Sequence, residues 1–182
     1  MRSRPQAGTS REKCLHLLSG DEAAAVLREL LAAHPHLVPD AVRAANALLA
    51  TVSFSTIAQR VSDAVVQLGL DDFDAGPRAT GYVEPSEAAW EAIERAVAPY
   101  FNDLKRRMAL RHRDEAAEIS KGIVVGLYRA ERHGFELLDY AEDCPSELAG
   151  NAVEIVWRRR RGARLPRSFI EKFVPEWDWL SR

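Results

Sequence analysis

The chain has 182 residues, 47% of them hydrophobic and 29% charged, with a formal net charge of −2. That balance describes an ordinary folded protein and excludes a disordered polyelectrolyte, while the near-zero charge excludes a global field for nucleic acid or a membrane surface. At this length one compact core can form without metal or disulfide staples. Two cysteines, Cys14 and Cys144, stand near opposite ends, too few and too far apart for a secreted disulfide scaffold. They are expected to be reduced thiols in a cytoplasmic protein. Only Lys13, Lys105, Lys121 and Lys172 are lysines, against abundant Arg and Ala, the imprint of a GC-rich bacterial genome.

Residues 1–13 are basic and polar, with no apolar stretch after them long enough for a signal peptide, and are expected to form a disordered leader. Residues 14–182 are then expected to form a single all-helical domain. No apolar run approaches the ~20 residues of a membrane span, so no membrane partner is expected.

Ser19 and Glu22 have the spacing of a capping box, in which each side chain satisfies the other's exposed amide. Behind them Ala23, Val26, Leu27, Leu30 and Leu31 recur at helical spacing over residues 21–33. Pro35 ends that helix and Pro39 suits the first turn of the next, residues 39–51, whose inward face is read as Val42, Ala45, Leu49 and Val52. A third helix spans about 55–68, with Ile57, Val61, Val65 and Leu68 on one side. Residues 71–83, with three Asp, two Gly and a Pro, have no period and read as a loop and possible subdomain boundary.

Pro85 opens a long helix with Trp90, Ile93, Val97, Phe101, Leu104 and Met108 along one face, and Pro99 inside it predicts a kink. Asp114 is positioned to cap a fifth helix carrying Ile119, Ile123, Leu127 and Ala130. Within it Gly122 and Gly126 each cost ~1 kcal/mol of helix propensity, which predicts the close approach of a neighbour. Gly134 ends it. Residues 135–140 fit either a helical turn or an extended piece. Pro145 starts a helix that runs into Arg158–Arg161, and Ser168 with Glu171 suggests a second capping box. Pro175 divides the last element into two short pieces. The fold expected is all-α, an irregular stack of about seven helices in helical hairpins (HEAT- or TPR-like), with no sheet.

Residues 17–50 (LLSGDEAAAVLRELLAAHPHLVPDAVRAANALLA) resemble the helical-hairpin segments of bacterial proteins with SWIM-type zinc-finger domains. Residues 81–128 (GYVEPSEAAWEAIERAV…FNDLKRRMAL…EISKGIVVGLY) look like a family of uncharacterised bacterial all-helical proteins. The resemblance implies a repeat-like helical fold and no particular activity. The SWIM motif itself, CxC followed by CxH, is absent, so no zinc role carries over.

Candidate chemistry is sparse. Cys14 and His16 with His34 and His36 match no zinc-module spacing, and no metal or cofactor is expected. Cys144 at a helix start, with His133, Glu142 and Asp143 nearby, could be an activated thiol, but no oxyanion-hole pattern accompanies it. No phosphate-binding glycine loop, calcium loop or di-iron ExxH pair is present. The one sharp feature is the cluster Arg158, Arg159, Arg160, Arg161 and Arg164, with Arg167 beyond it and Trp157 beside it. It reads as a solvated helix end, an acidic-protein contact or a phosphate clamp. Trp177 and Trp179 alternate, so one helical face cannot bury both; they either close the end of the stack or anchor a partner. The sequence therefore predicts a protein–protein interaction module without catalytic activity, using Arg158–Arg161, Arg164, Trp177 and Trp179. A nucleic-acid-binding protein using the arginine cluster is the alternative.

Overall fold

A computed structural model describes residues 15–79, 81–157 and 165–181. Seven α-helices lie among them: α1 (Gly20–Ala33), α2 (Val38–Leu49), α3 (Phe54–Val66), α4 (Pro85–Ala109), α5 (Arg113–His133), α6 (Cys144–Trp157) and α7 (Arg167–Phe173). The all-α expectation holds, with one small departure. Within the segment read as a loop, β1 (Gly76–Arg78) and β2 (Gly81–Val83) pair antiparallel, with Gly76 opposite Val83 and Pro77 opposite Tyr82. Gly76 and Gly81 both have positive φ, 110° and 133°, which only glycine adopts at little cost.

The chain divides into two compact units, Met1–Leu48 and Leu49–Arg182. The sequence reading is a single domain over 14–182 with a possible subdomain boundary in 71–83; the division by compactness falls at 48/49. The physical reason lies in which residues are buried. Among the described residues every buried side chain is Ala58 or later. The 71–83 segment is tied into the second unit: Phe73 stacks on Tyr140 at 4.9 Å, Glu136 accepts the Leu70 amide at 3.0 Å, and Val83 is buried.

In the first unit, α1 begins with the expected capping box. Glu22 accepts the Ser19 amide at 2.8 Å, and Ser19 Oγ accepts the Glu22 amide at 3.3 Å. A 3₁₀ turn, Pro35–Leu37, separates α1 from α2, and Asp40 pairs with Arg43 at 2.7 Å. Neither helix buries a single residue, and α1 makes no extensive contact with α2. The face read from sequence as inward is therefore open: Val26, Leu27, Leu30 and Val42 are all exposed.

In the second unit α5 is the central element, packed against α3, α4 and α6. Residues 122–127 are buried on all sides, as befits a helix apolar around its circumference. Gly122 and Gly126 are where α3 crosses. A Cβ at Gly126 would lie 2.6 Å from Val61 Cβ and 2.7 Å from the Ala58 carbonyl, and one at Gly122 would lie 2.5 Å from Ile57 Cβ. On the α6 side Ser120 Oγ donates to the Ala152 carbonyl at 2.9 Å, satisfying a fully buried hydroxyl. Gly134, at φ 79°, ends α5 as expected.

Other local expectations shift. The N-cap of α5 is His112, with no side-chain cap bond, and Asp114 lies in the first turn instead. At Pro99 nothing shifts, since α4 continues through it without a break, as its apolar face on both sides predicts. Residues 135–140 include a 3₁₀ turn, Leu138–Tyr140. α7 starts at Arg167, too early for Ser168 to cap it, and Glu171 instead binds Arg167 at 2.9 Å. α4 ends in a Schellman motif, with the His112 amide on the Arg107 carbonyl and the Arg111 amide on that of Met108. Arg111 holds the left-handed position at φ 65° where glycine is usual.

Two substitutions test this account by denaturant unfolding. Gly126→Ala is expected to lower the unfolding free energy by about 1–3 kcal/mol through overpacking against α3. Arg111→Gly is expected to raise it by up to about 1 kcal/mol by relieving the left-handed residue.

Candidate interaction surfaces

The candidate residues separate into two groups. Trp177 lies at a non-helical kink inside the 3₁₀ segment Pro175–Ser181, φ −100° and ψ 43°, so Pro175 does divide the last element. That kink turns Trp177 into the core, where it is 5% exposed and meets Tyr128 edge-on at 5.3 Å. Trp177 is thus a closing side chain and not a surface anchor. Trp179 is 41% exposed and lies over Gly150 of α6, whose Cβ position would be 3.1 Å from Trp179 Cη2. Arg158, Arg159, Arg160, Arg161 and Arg164 lie outside the described residues, as do residues 1–13. Arg167 is described, and its guanidinium is engaged by Glu171.

A cleft of ≈ 950 Å³ opens between α4, the first turns of α5, and α6. Its apolar lining includes Val97, Phe101, Leu148, Ile155 and Trp157. Lys105, Arg113, Asp114 and Glu154 add exposed charge, and among the described residues none of the four has an ion-pair partner. Glu94 is exposed on the same lining, so three carboxylates stand against two cations and the cleft carries a slight excess of negative charge.

Two further features escaped the sequence reading. Arg107 is buried, donating from Nη1 to the Leu49 carbonyl and from Nε to Asp103 at 3.3 Å. Asp103 also receives Arg106 at 2.6 Å; burial pushes its carboxyl up, but these two arginines outweigh that and hold it below its ordinary value. No periodicity argument finds such a residue, because an Arg in a helix's last turn reads as a dipole-complementing surface charge. Second, Glu131 Oε2 is buried with no hydrogen-bond partner among the described residues, and desolvation raises its pKa, opposed by Arg132 and aided by Glu142 and Asp143.

The thiol of Cys144 is buried, and desolvation, with Glu94 and Glu147 adding repulsion, pushes it up to about 12. At neutral pH it is a protonated thiol, the reverse of the lowered pKa a nucleophile needs. His34 and His36 meet edge-on at 5.8 Å, and among the described residues no group of three His, Cys, Asp or Glu side chains is placed to hold a metal ion.

The most extensive exposed apolar surface is on the first unit. Eight of the thirteen exposed large apolar side chains among the described residues fall between 15 and 48: Leu15, Leu17, Val26, Leu27, Leu30, Val38, Val42 and Leu48. The other five are scattered along residues 70–179. No single helix is long and apolar enough to cross a membrane.

The fold and its surfaces together define an all-α protein with a packed helical unit and an uncovered pair of amphipathic helices. No protein-family model matches the chain, and neither does a curated protein or a solved structure.

The two tryptophans are expected to separate in a stability assay. Trp177→Ala should cost about 3–5 kcal/mol as a core truncation, whereas Trp179→Ala should cost less than about 2 kcal/mol. For Cys144 the sign is set by the folded state holding its proton to higher pH than the unfolded state, whose thiol ionises near 9.0. The unfolding free energy is expected to fall as pH rises above 9, and Cys144→Ala to flatten that limb.

Proposed function

We propose that the chain is a cytoplasmic protein–protein interaction module whose docking elements are α1 and α2, and that it acts by binding and not by turnover. The observation that carries this reading is the apolar stripe of two well-formed helices that bury no residue. Isolated helices of 14 and 12 residues are marginal in water, since most helical stability comes from packing an apolar face. Uncovered apolar stripes of this kind mark interaction sites.

The flanking charges favour a protein partner over a lipid surface. α1 carries Asp21, Glu22 and Glu29 against Arg28, whereas helices that lie on membranes are rich in Lys and Arg. Burying Val26, Leu27 and Leu30 would each contribute on the order of 1 kcal/mol, given that roughly half of each is still exposed.

The test is affinity capture from native lysate, with and without nuclease, using the parent, Val26→Glu with Leu30→Glu, and Arg158–Arg161→Ser. A nuclease-resistant protein retained by the parent and the Ser variant, and lost by the Glu variant, is expected. Recovery of nucleic acid that depends on the arginines would overturn the reading.

A further inference from the structure

We infer that the partner of α1 and α2 is a second copy of this chain, the two pairs of helices closing into one four-helix core. The inference rests on the reading of these helices as docking elements and goes further by naming what covers them. Two helices that share no buried residue cannot enclose a core, but four can, and the four-helix bundle is a common solution for helices of this length.

The exposed area is of the right size. Fully burying a Val or Leu removes roughly 60–120 Å² of apolar surface. The eight exposed side chains between 15 and 48, from 40% (Val38) to 84% (Leu17) exposed, therefore leave roughly 300–500 Å² per copy. A stable interface buries about 800 Å² per partner, of which ~57–65% is apolar. The first unit supplies most of that apolar share before its alanines are counted.

The same face also suits itself in shape and charge. Ala23, Ala41 and Ala45 lie along the stripes between the Val and Leu side chains, so that large residues of one copy meet small ones of the other. An isologous contact places each patch against its own copy, which forbids a block of one sign. Here α2's only charges, Asp40 and Arg43, are bonded to each other at 2.7 Å; on α1 Arg28 adjoins Glu29, and the remaining acids, Asp21 and Glu22, are confined to its first turn.

The test is sedimentation equilibrium of the full chain from about 1 to 100 µM, a range spanning typical dimer affinities. The mass is expected to approach twice the 20.3 kDa of one chain, and Val26→Glu with Val42→Glu to weaken association at least ~100-fold. Both residues are exposed, so an unchanged melting transition of the second unit checks that the variant is folded. A parent monomeric throughout the range overturns the inference, as does a dimer that the double variant leaves intact. The interaction-module reading is judged separately: a different protein captured through α1 sinks only the self-association, and no captured protein together with a monomer sinks both.

Discussion

The second unit depends on the crossing of α3 over α5 at Gly122 and Gly126. With side chains at either position, Ile57 and Val61 would be driven away by the contacts that a Cβ would make at 2.5 to 2.7 Å. Because α3 can sit that low, Ala58, Val61 and Val65 are fully buried, and α5 is enclosed from that side. The helix penalty of two glycines, about 1 kcal/mol each, is offset by burial of side chains worth about 1.5–3 kcal/mol apiece. The rest follows from α5 being central. Ser120 can place its hydroxyl on the Ala152 carbonyl only because α6 packs against α5 as well, and Tyr128, further along α5, receives Trp177 from the C-terminal segment.

The first unit shows the same local rules without the packing. α1 has a complete capping box and an apolar stripe at i, i+3, i+4 and i+7, as good a helix signature as any in the chain. What it lacks is bulk. Residues 20–49 contain no Phe, Tyr, Trp, Ile or Met, and their apolar side chains other than Pro are Ala, Val and Leu. The second unit adds Phe101 and Trp177, whose rings bury more surface per residue than Val or Leu, to Ile93, Ile119 and Ile123. An apolar stripe says that a helix has something to bury, not what it is buried against.

That distinction explains what was legible in the sequence. Helix existence, the Gly122/Gly126 approach, the Gly134 stop and the division at Pro175 all follow from short-range chemistry, and each stands in the structure. The second capping box failed for a local reason: α7 begins one residue before Ser168, and Glu171 finds a stronger partner in Arg167. The β-ribbon was missed because three-residue strands containing Gly and Pro have no alternation to read. Arg107 and the division at 48/49 were beyond local signals altogether, since both depend on which distant backbone or core each residue meets. Their spacing assigns Trp177 and Trp179 alike to the interaction surface, and the kink at Trp177, which no sequence pattern announces, separates them: one ring is core and the other is surface.

The contrast between the units also bears on how binding would be energised. A docking surface built on the second unit would be preorganised, because its helices are already held by α5. α1 and α2 bury no residue of their own, so part of what their burial would yield must go into ordering them, a cost borne at the moment of association. Such a surface binds with less affinity per unit area than a rigid one, and its helicity becomes dependent on the partner's concentration. The second unit has a core of its own. On the proposed reading the glycine-gated core would be the constant body, and the helices that lack a core would be the element whose order reports association.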